Sequence, residues 1–226
     1  MQNRRWKTVW AVRILALLVL CAPLRLHPAP GSADKFSVIS PDGRFIFRQT
    51  MEWKSEDGDA AFAVVDARTK RSVLIDPGAD LPPMEDSIAC LWAPDSKRFA
   101  VNARVAGRYE TTELFEWTGK EFQHVPSIED TITALLAADR KEQLKKAGIP
   151  ANTVLRHIWD LYKTLKWEDA DTLKVLGSST RSYDLKKASE DTVEIISAFT
   201  FTLKLEKNSR PKIIAQSAPT SEVSGR

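Results

Sequence analysis

Cysteine is nearly absent: Cys21 and Cys90 are the two in 226 residues. Cys21 lies in an apolar N-terminal segment, which leaves Cys90 alone and excludes an internal disulfide in the rest. Cys90 alternates with Ile88 and Leu91-Trp92 in a strand-like stretch, so it reads as a small core residue rather than a reactive thiol. Histidine is as scarce, with His27, His124 and His157. None of them sits in a metal-ligating spacing such as H-E-x-x-H. His124 reads as a strand residue beside Val125 and His157 as a helix residue beside Ile158, both in structural or surface roles.

Nucleophile motifs are lacking too. There is no G-x-S-x-G elbow, and Gly177-Ser178-Ser179 lacks the second glycine. The acidic stretches Glu56-Asp57-Gly58-Asp59 and Asp76 to Asp86 have no EF-hand spacing, and a calcium site needs about six to eight convergent oxygens. The first reads as a solvated hairpin tip. Glu168, Asp169 and Asp171 read as a turn. No catalytic, cofactor-binding or metal-ligating residue is assigned, and no cofactor is expected.

A large net charge of either sign is missing from most of the chain. Five of its 33 basic residues (Arg4, Arg5, Lys7, Arg13, Arg25) lie within residues 1–33, which hold no acid. Against 30 acidic residues, the remainder carries a formal charge near −2. The basic character therefore belongs to the N-terminus, and there is no electrostatic case for nucleic acid.

That N-terminus has a basic start, an apolar run from Ile14 to Ala22, prolines at 23, 28 and 30, and the small residues Gly31, Ser32 and Ala33. The pattern is that of a secretory signal peptide over residues 1–33, with cleavage after Gly31 or Ala33. The run falls short of the roughly 20 apolar residues of a membrane span, so an uncleaved anchor is the alternative. Cys21 after Leu18-Val19-Leu20 departs from a lipoprotein box in its large Leu20, and Arg4-Arg5 lacks the context of a twin-arginine signal. The expected location is periplasmic or secreted, with membrane contact only through this segment if it is retained.

Beyond residue 33 the composition is that of ordinary globular material. Hydrophobic residues are 43% and charged residues 28% of the whole chain, enough for a core without metal or disulfide staples. One short pattern occurs twice: Val38-Ile39-Ser40-Pro41-Asp42-Gly43-Arg44-Phe45-Ile46-Phe47, and Leu91-Trp92-Ala93-Pro94-Asp95-Ser96-Lys97-Arg98-Phe99-Ala100-Val101. Proline presets a turn corner, aspartate bonds nearby backbone, and Gly43 accepts positive φ. Ser96 and the extra residue before Phe99 predict a different turn type in the second copy. A degenerate third copy runs from Trp167 to Val175. Each is followed by strand, turn and strand, so each unit reads as a β-meander.

These pieces resemble the WD40-like repeats of TolB-type β-propellers, over residues 36–125 and more loosely over 167–216. The resemblance implies four-stranded blades, export, and protein binding. The first two copies lie about 53 residues apart against about 40–45 for such a blade. Three units are also fewer than the roughly four to eight of a closed propeller. A complete single-chain propeller is therefore not expected. One curved sheet or two packed sheets would accommodate the units.

Between the second and third units, residues 127–165 read as two helices. Ser127 is the N-cap of the first, with Glu129 and Asp130 in its opening turn and Gly148 and Pro150 at its end. Leu155, Ile158, Trp159 and Tyr162, at i, i+3, i+4 and i+7, predict the buried face of the second. The expected class is thus α+β: antiparallel meanders (34–126 and 166–216), a two-helix insertion, and a disordered tail from Ser217 to Arg226.

Tryptophans remain as binding candidates. Trp92 and Trp167 hold matching repeat positions and read as core, whereas Trp53 and Trp117, near hairpin ends, are candidate partner-binding residues. The expected function is a non-enzymatic interaction module for a protein or cell-envelope component. The alternatives are a small hydrolase with a carboxylate site and a subunit of an oligomeric propeller.

Overall fold

The Pro-Asp corners fold alike. Ser40 N–H donates to the Phe45 carbonyl at 2.8 Å and Gly43 N–H to the Ser40 carbonyl at 2.9 Å. In the second copy Ala93 N–H donates to the Arg98 carbonyl at 2.9 Å and Ser96 N–H to that of Ala93 at 3.0 Å. Asp42 and Asp95 each accept the N–H two residues on, at 2.9 and 3.0 Å. Gly43 and Ser96 both take positive φ, 71° and 61°. The different turn type expected from Ser96 is therefore corrected. A non-glycine residue enters this region at a cost, and Ser96 offsets it by accepting the Asp42 N–H on its Oγ at 3.0 Å. The corners are thereby tied to each other.

The computed structural model describes residues 34–52, 59–74, 88–150, 152–184, 192–207, 209–218 and 222–225. The N-terminal segment 1–33, Trp53, the acidic stretch 56–58 and the acids of 76–86 lie outside them. The first corner joins β1 (Asp34–Ile39) to β2 (Phe45–Glu52), which pairs on to β3 (Asp59–Asp66) and β4 (Ser72–Leu74) in a four-stranded antiparallel meander. The second joins β5 (Ile88–Trp92) to β6 (Arg98–Ala106), followed by β7 (Tyr109–Trp117) and β8 (Phe122–Val125). After α1 (Glu129–Lys146) come β9 (Val154–Trp167), β10 (Thr172–Asp184), β11 (Thr192–Lys204) and β12 (Lys212–Gln216). The degenerate third copy is the β9–β10 turn, where Glu168 N–H meets the Thr172 carbonyl at 2.8 Å. The second and third meanders share one sheet, because β9 pairs in parallel with the start of β7 (Tyr109 opposite Asp160) while β8 takes its other half. The result is propeller-like in its units and open in its sheets.

The α+β, two-helix expectation is overturned. The described chain is mostly strand, with one helix, and residues 154–165 belong to β9. The spacing of Leu155, Ile158, Trp159 and Tyr162 suits a helix face, but Val154, Ile158, Trp159, Tyr162, Thr164 and Trp167 are all strand-favouring types. Period two prevails: Tyr162 and Thr164 are buried between exposed Lys163 and Leu165. Leu155, Ile158 and Trp159 are 43%, 48% and 45% exposed, so they form no buried face. The disordered tail is corrected as well. Residues Glu222–Gly225 form β13, which pairs with Val193–Ile196 of β11 beyond the stretch that β12 covers. That partner is remote in sequence and leaves no periodic trace.

Two apolar layers flank the middle meander. On one face Phe45, Phe47, Phe62 and Val64 pack against Phe99, Val101, Phe115 and Phe122. On the other, Ala100 and Leu114 meet Ile132 and Leu136 of α1 and Val175, Phe199 and Phe201 of the third meander. Cys90 belongs to the first layer, and burial pushes its thiol far above the ordinary range. Repeated bonds align the units. The Trp92 indole N–H donates to the Val38 carbonyl at 3.3 Å, and that of Trp167 donates to the Leu91 carbonyl at 2.9 Å. Asn102 clasps the backbone of buried Thr164, donating to its carbonyl at 2.8 Å and accepting its N–H at 2.9 Å.

The helix begins one residue later than the Ser127 cap implies, with Ile128 at the N-cap and Ser127 Oγ accepting the Glu129 N–H at 3.1 Å. It seats on β10 and β11 where Gly177 leaves room. A Cβ there would lie 2.5 Å from Ile132 Cγ2 and 3.0 Å from a Phe201 ring carbon. Gly177→Ala is therefore expected to cost about 1–3 kcal/mol by lifting α1, read from urea unfolding. Trp167→Phe keeps an aromatic ring but removes the indole N–H that the Leu91 carbonyl accepts, and about 1–3 kcal/mol is expected from the same measurement. An unchanged midpoint for either variant would contradict these contacts.

Candidate functional site

Two turns at one end of the first and second meanders build a recess around Trp117. In the β3–β4 turn, Asp66 Oδ1 accepts the N–H groups of Arg68 (3.0 Å) and Thr69 (2.8 Å). Its own carbonyl takes the Lys70 N–H at 2.8 Å. In the β7–β8 turn, Thr118 and Glu121 close the loop through a 2.9 Å bond, and Gly119 at φ 103° permits the tight reversal. The Arg44 guanidinium lies between the two. Its Nε donates to Asp66 Oδ2 at 3.2 Å, and the cation rests 4.6 Å from the Phe45 ring centroid and 5.1 Å from that of Trp117. Stacking and ion pairing together fix this side chain.

The recess holds about 180 Å³. Phe45 and Phe122 are buried and Trp117 half-buried beneath it, and Arg68, Arg71 and Lys120 stand exposed around it. The Thr69 N–H, with Arg44 and the Arg68 N–H, holds the Asp66 carboxyl down at about 2. Asp66 therefore stays ionised and bound to Arg44 at neutral pH. On the far side of Trp117 a smaller recess of about 130 Å³ is lined by Gln123, His124 and Lys207. Of the two tryptophans singled out from sequence, Trp117 lines both recesses, while Trp53 falls outside the described residues.

The other sequence candidates are engaged in structural contacts, His124 at the rim of the smaller recess and Trp92 against Phe45 and Phe122. His124 bonds Glu113 at 2.5 Å on the β7–β8 ladder. His157 is a β9 residue rather than a helix residue. Trp92 and Trp167 serve the bonds between units. The Asp171 N–H, above other contacts, holds Asp169 at about 2, and Lys204 meets Asp171 at 2.5 Å. These acids fasten the β9–β10 turn. A separate polar cluster lies under the helix start, where Glu129 accepts the hydroxyls of Tyr109 and Thr111. Burial pushes the Glu129 carboxyl up, against the pull of those two hydroxyls.

Sequence reasoning assigned no role to Arg68, Arg71 and Lys120. Their one sequence signal is that basic residues recur in turns of adjacent units, with Arg44 in the corner itself.

Asp66→Asn is expected to destabilise the protein at neutral pH. Because the folded carboxyl sits below its ordinary 3.8, at about 2, its contribution is full above the ordinary value and lost as pH falls through about 2. Melting temperatures of wild type and variant should thus converge between about pH 4 and pH 2. A gap that persists at the acid end would contradict the assignment.

No protein-family model matches the chain, and no curated protein matches it. Among solved structures, a chain from a study of two prolyl endopeptidases and their inter-domain dynamics is similar at 11% identity with a TM-score of 0.35. That match covers 82% of this chain and 28% of the other. TolB from Acinetobacter baumannii is similar at 12% identity with a TM-score of 0.31, over 86% of this chain and 43% of TolB. The chain spans less than half the length of either.

Proposed function

We propose that the protein is an exported, non-enzymatic interaction module that binds a protein or cell-envelope component through the Trp117 end of its meanders. The observation that carries this reading is a half-buried tryptophan at a turn, with a recess on each side and a fixed guanidinium against its ring. Partly exposed aromatic and arginine side chains around small concavities are the material of interface hot spots. The signal-like segment of residues 1–33 supports the export part.

The hydrolase reading needs two carboxylates with perturbed pKa values in one concavity. The described acids with such values do not share a concavity. Asp42, Asp66 and Asp169 each fasten a separate turn, and Glu129 lies under the helix start with Tyr109 and Thr111. Burial opposes ionisation of Asp42, but the Ser40 hydroxyl and the Arg44 N–H hold it below the ordinary value.

Trp117→Ala is expected to weaken partner capture from envelope extracts by about 30-fold, the loss of a hot spot of about 2 kcal/mol. Trp159→Ala, an exposed change on β9, should leave capture intact. Equal recovery by the wild type and Trp117→Ala would sink the reading. Fractionation that leaves the full chain in the cytoplasm would sink its export part.

A further inference from the structure

Four cations and one carboxylate surround the Trp117 recess, and the carboxylate is already taken. Asp66 accepts the Arg44 Nε–H on Oδ2 and the turn N–H groups of Arg68 and Thr69 on Oδ1. Among the described residues no carboxylate pairs with Arg68, Arg71 or Lys120. Resting on the interaction-module reading, we infer that this recess receives a carboxylate side chain from an extended acidic peptide of a protein partner.

Three features select that ligand. The first is charge: like cations around a partly apolar floor repel one another, and an incoming anion relieves all three at once. Arg44 already has its orientation, so a carboxylate meets a guanidinium that loses little freedom on binding. The second is size. A volume of about 180 Å³ falls below the roughly 300–1,000 Å³ of pockets that enclose a whole small molecule, and suits one side chain. The aromatic floor of Phe45, Trp117 and Phe122 suits the methylenes or an apolar neighbour of that side chain.

The third feature separates a peptide from a free anion. Arg71 immediately precedes β4, which pairs only with β3 among the described strands, and Lys120 lies just before β8, which pairs only with β7. The recess is thus bordered by the ends of two strands whose second edges pair with no described strand. An extended peptide brings backbone donors and acceptors for such an edge, and phosphate or a lipid headgroup brings none.

The test uses the ¹⁵N-labelled full chain, with the Trp117 indole signal identified through Trp117→Phe. Four probes are titrated: a peptide alternating Glu and Phe, its Gln-for-Glu counterpart, inorganic phosphate, and vesicles containing anionic lipid. The Glu peptide should shift the Trp117 signal, more weakly as salt is raised. Its affinity should fall at least about tenfold with the Gln peptide or in the Arg68→Glu/Arg71→Glu variant. Both sites are exposed, and a melting temperature equal to wild type would show that the variant is folded; Arg68→Gln/Arg71→Gln gives an independent second reading. Equal binding of the Gln peptide would overturn the acidic class while leaving Trp117 as a partner anchor. Phosphate or vesicles matching the peptide would overturn the choice of a peptide. No shift with any probe would overturn the site, whereas capture by Trp117→Ala reports on the interaction module separately.

Discussion

Strand β6 is buried on both sides, and the placement of the flanking meanders depends on that. Phe99 and Val101 point into the aromatic layer shared with β2 and β3. Ala100 and Asn102, between and beyond them, face the helix and β9. A side chain the size of phenylalanine at 100 would hold the third meander away, so the alternation of large and small along β6 sets the spacing of both layers. Phe99 is 0% exposed and contacts rings at 4.8 to 5.9 Å on four sides: Trp92, Phe115, Phe122 and Phe47. Burial of such a ring is worth about 1.5–3 kcal/mol, and the stacked contact with Phe115 and the edge-on contact with Phe122 add to it. Polar bonds then choose among the arrangements that grease alone would allow. The Trp92 and Trp167 indole N–H groups each have a carbonyl in the preceding unit, and Asn102 has the Thr164 backbone.

Local chemistry was legible in the sequence, and pairing between remote segments was not. The Pro-Asp corners could be read because proline and aspartate act on residues two or three positions away. The one misreading there, Ser96, came from treating glycine as the sole route to positive φ. Its compensation is the Asp42 N–H, 54 residues distant. Strand β9 failed for another reason. In the run from Val154 to Trp167 apolar residues are dense enough to contain both a helical and an alternating subset, and periodicity alone does not choose between them. Pairing on both sides of β9, with β10 and β7, decided it. Likewise β13 exists because β11 is longer than β12.

The recess reflects the same division between local and remote. Asp66 is a turn-forming aspartate of the type the corners use, and Arg44 is the basic residue of the first corner. Each would be unremarkable alone. Packing of the first meander on the second brings the β3–β4 and β7–β8 turns together, and only then does Arg44 find Trp117. Trp117 could be singled out from sequence because a large ring near a hairpin end is out of place in a simple core. Arg68, Arg71 and Lys120 could not, because three basic residues in two separate turns look like solvated loops until the fold joins them.

That joining also explains how the fold tolerates the charge. Arg44, itself exposed, is the cation given both a carboxylate and two ring faces. The three that pair with no described carboxylate are exposed as well, where water and salt screen their mutual repulsion. A ligand that displaced this water would remove the screening, and that is favourable only if the ligand carries negative charge. A neutral or cationic partner would meet desolvated, unpaired arginines and be rejected. An arrangement that leaves three cations solvated around one recess would therefore sort ligands by charge.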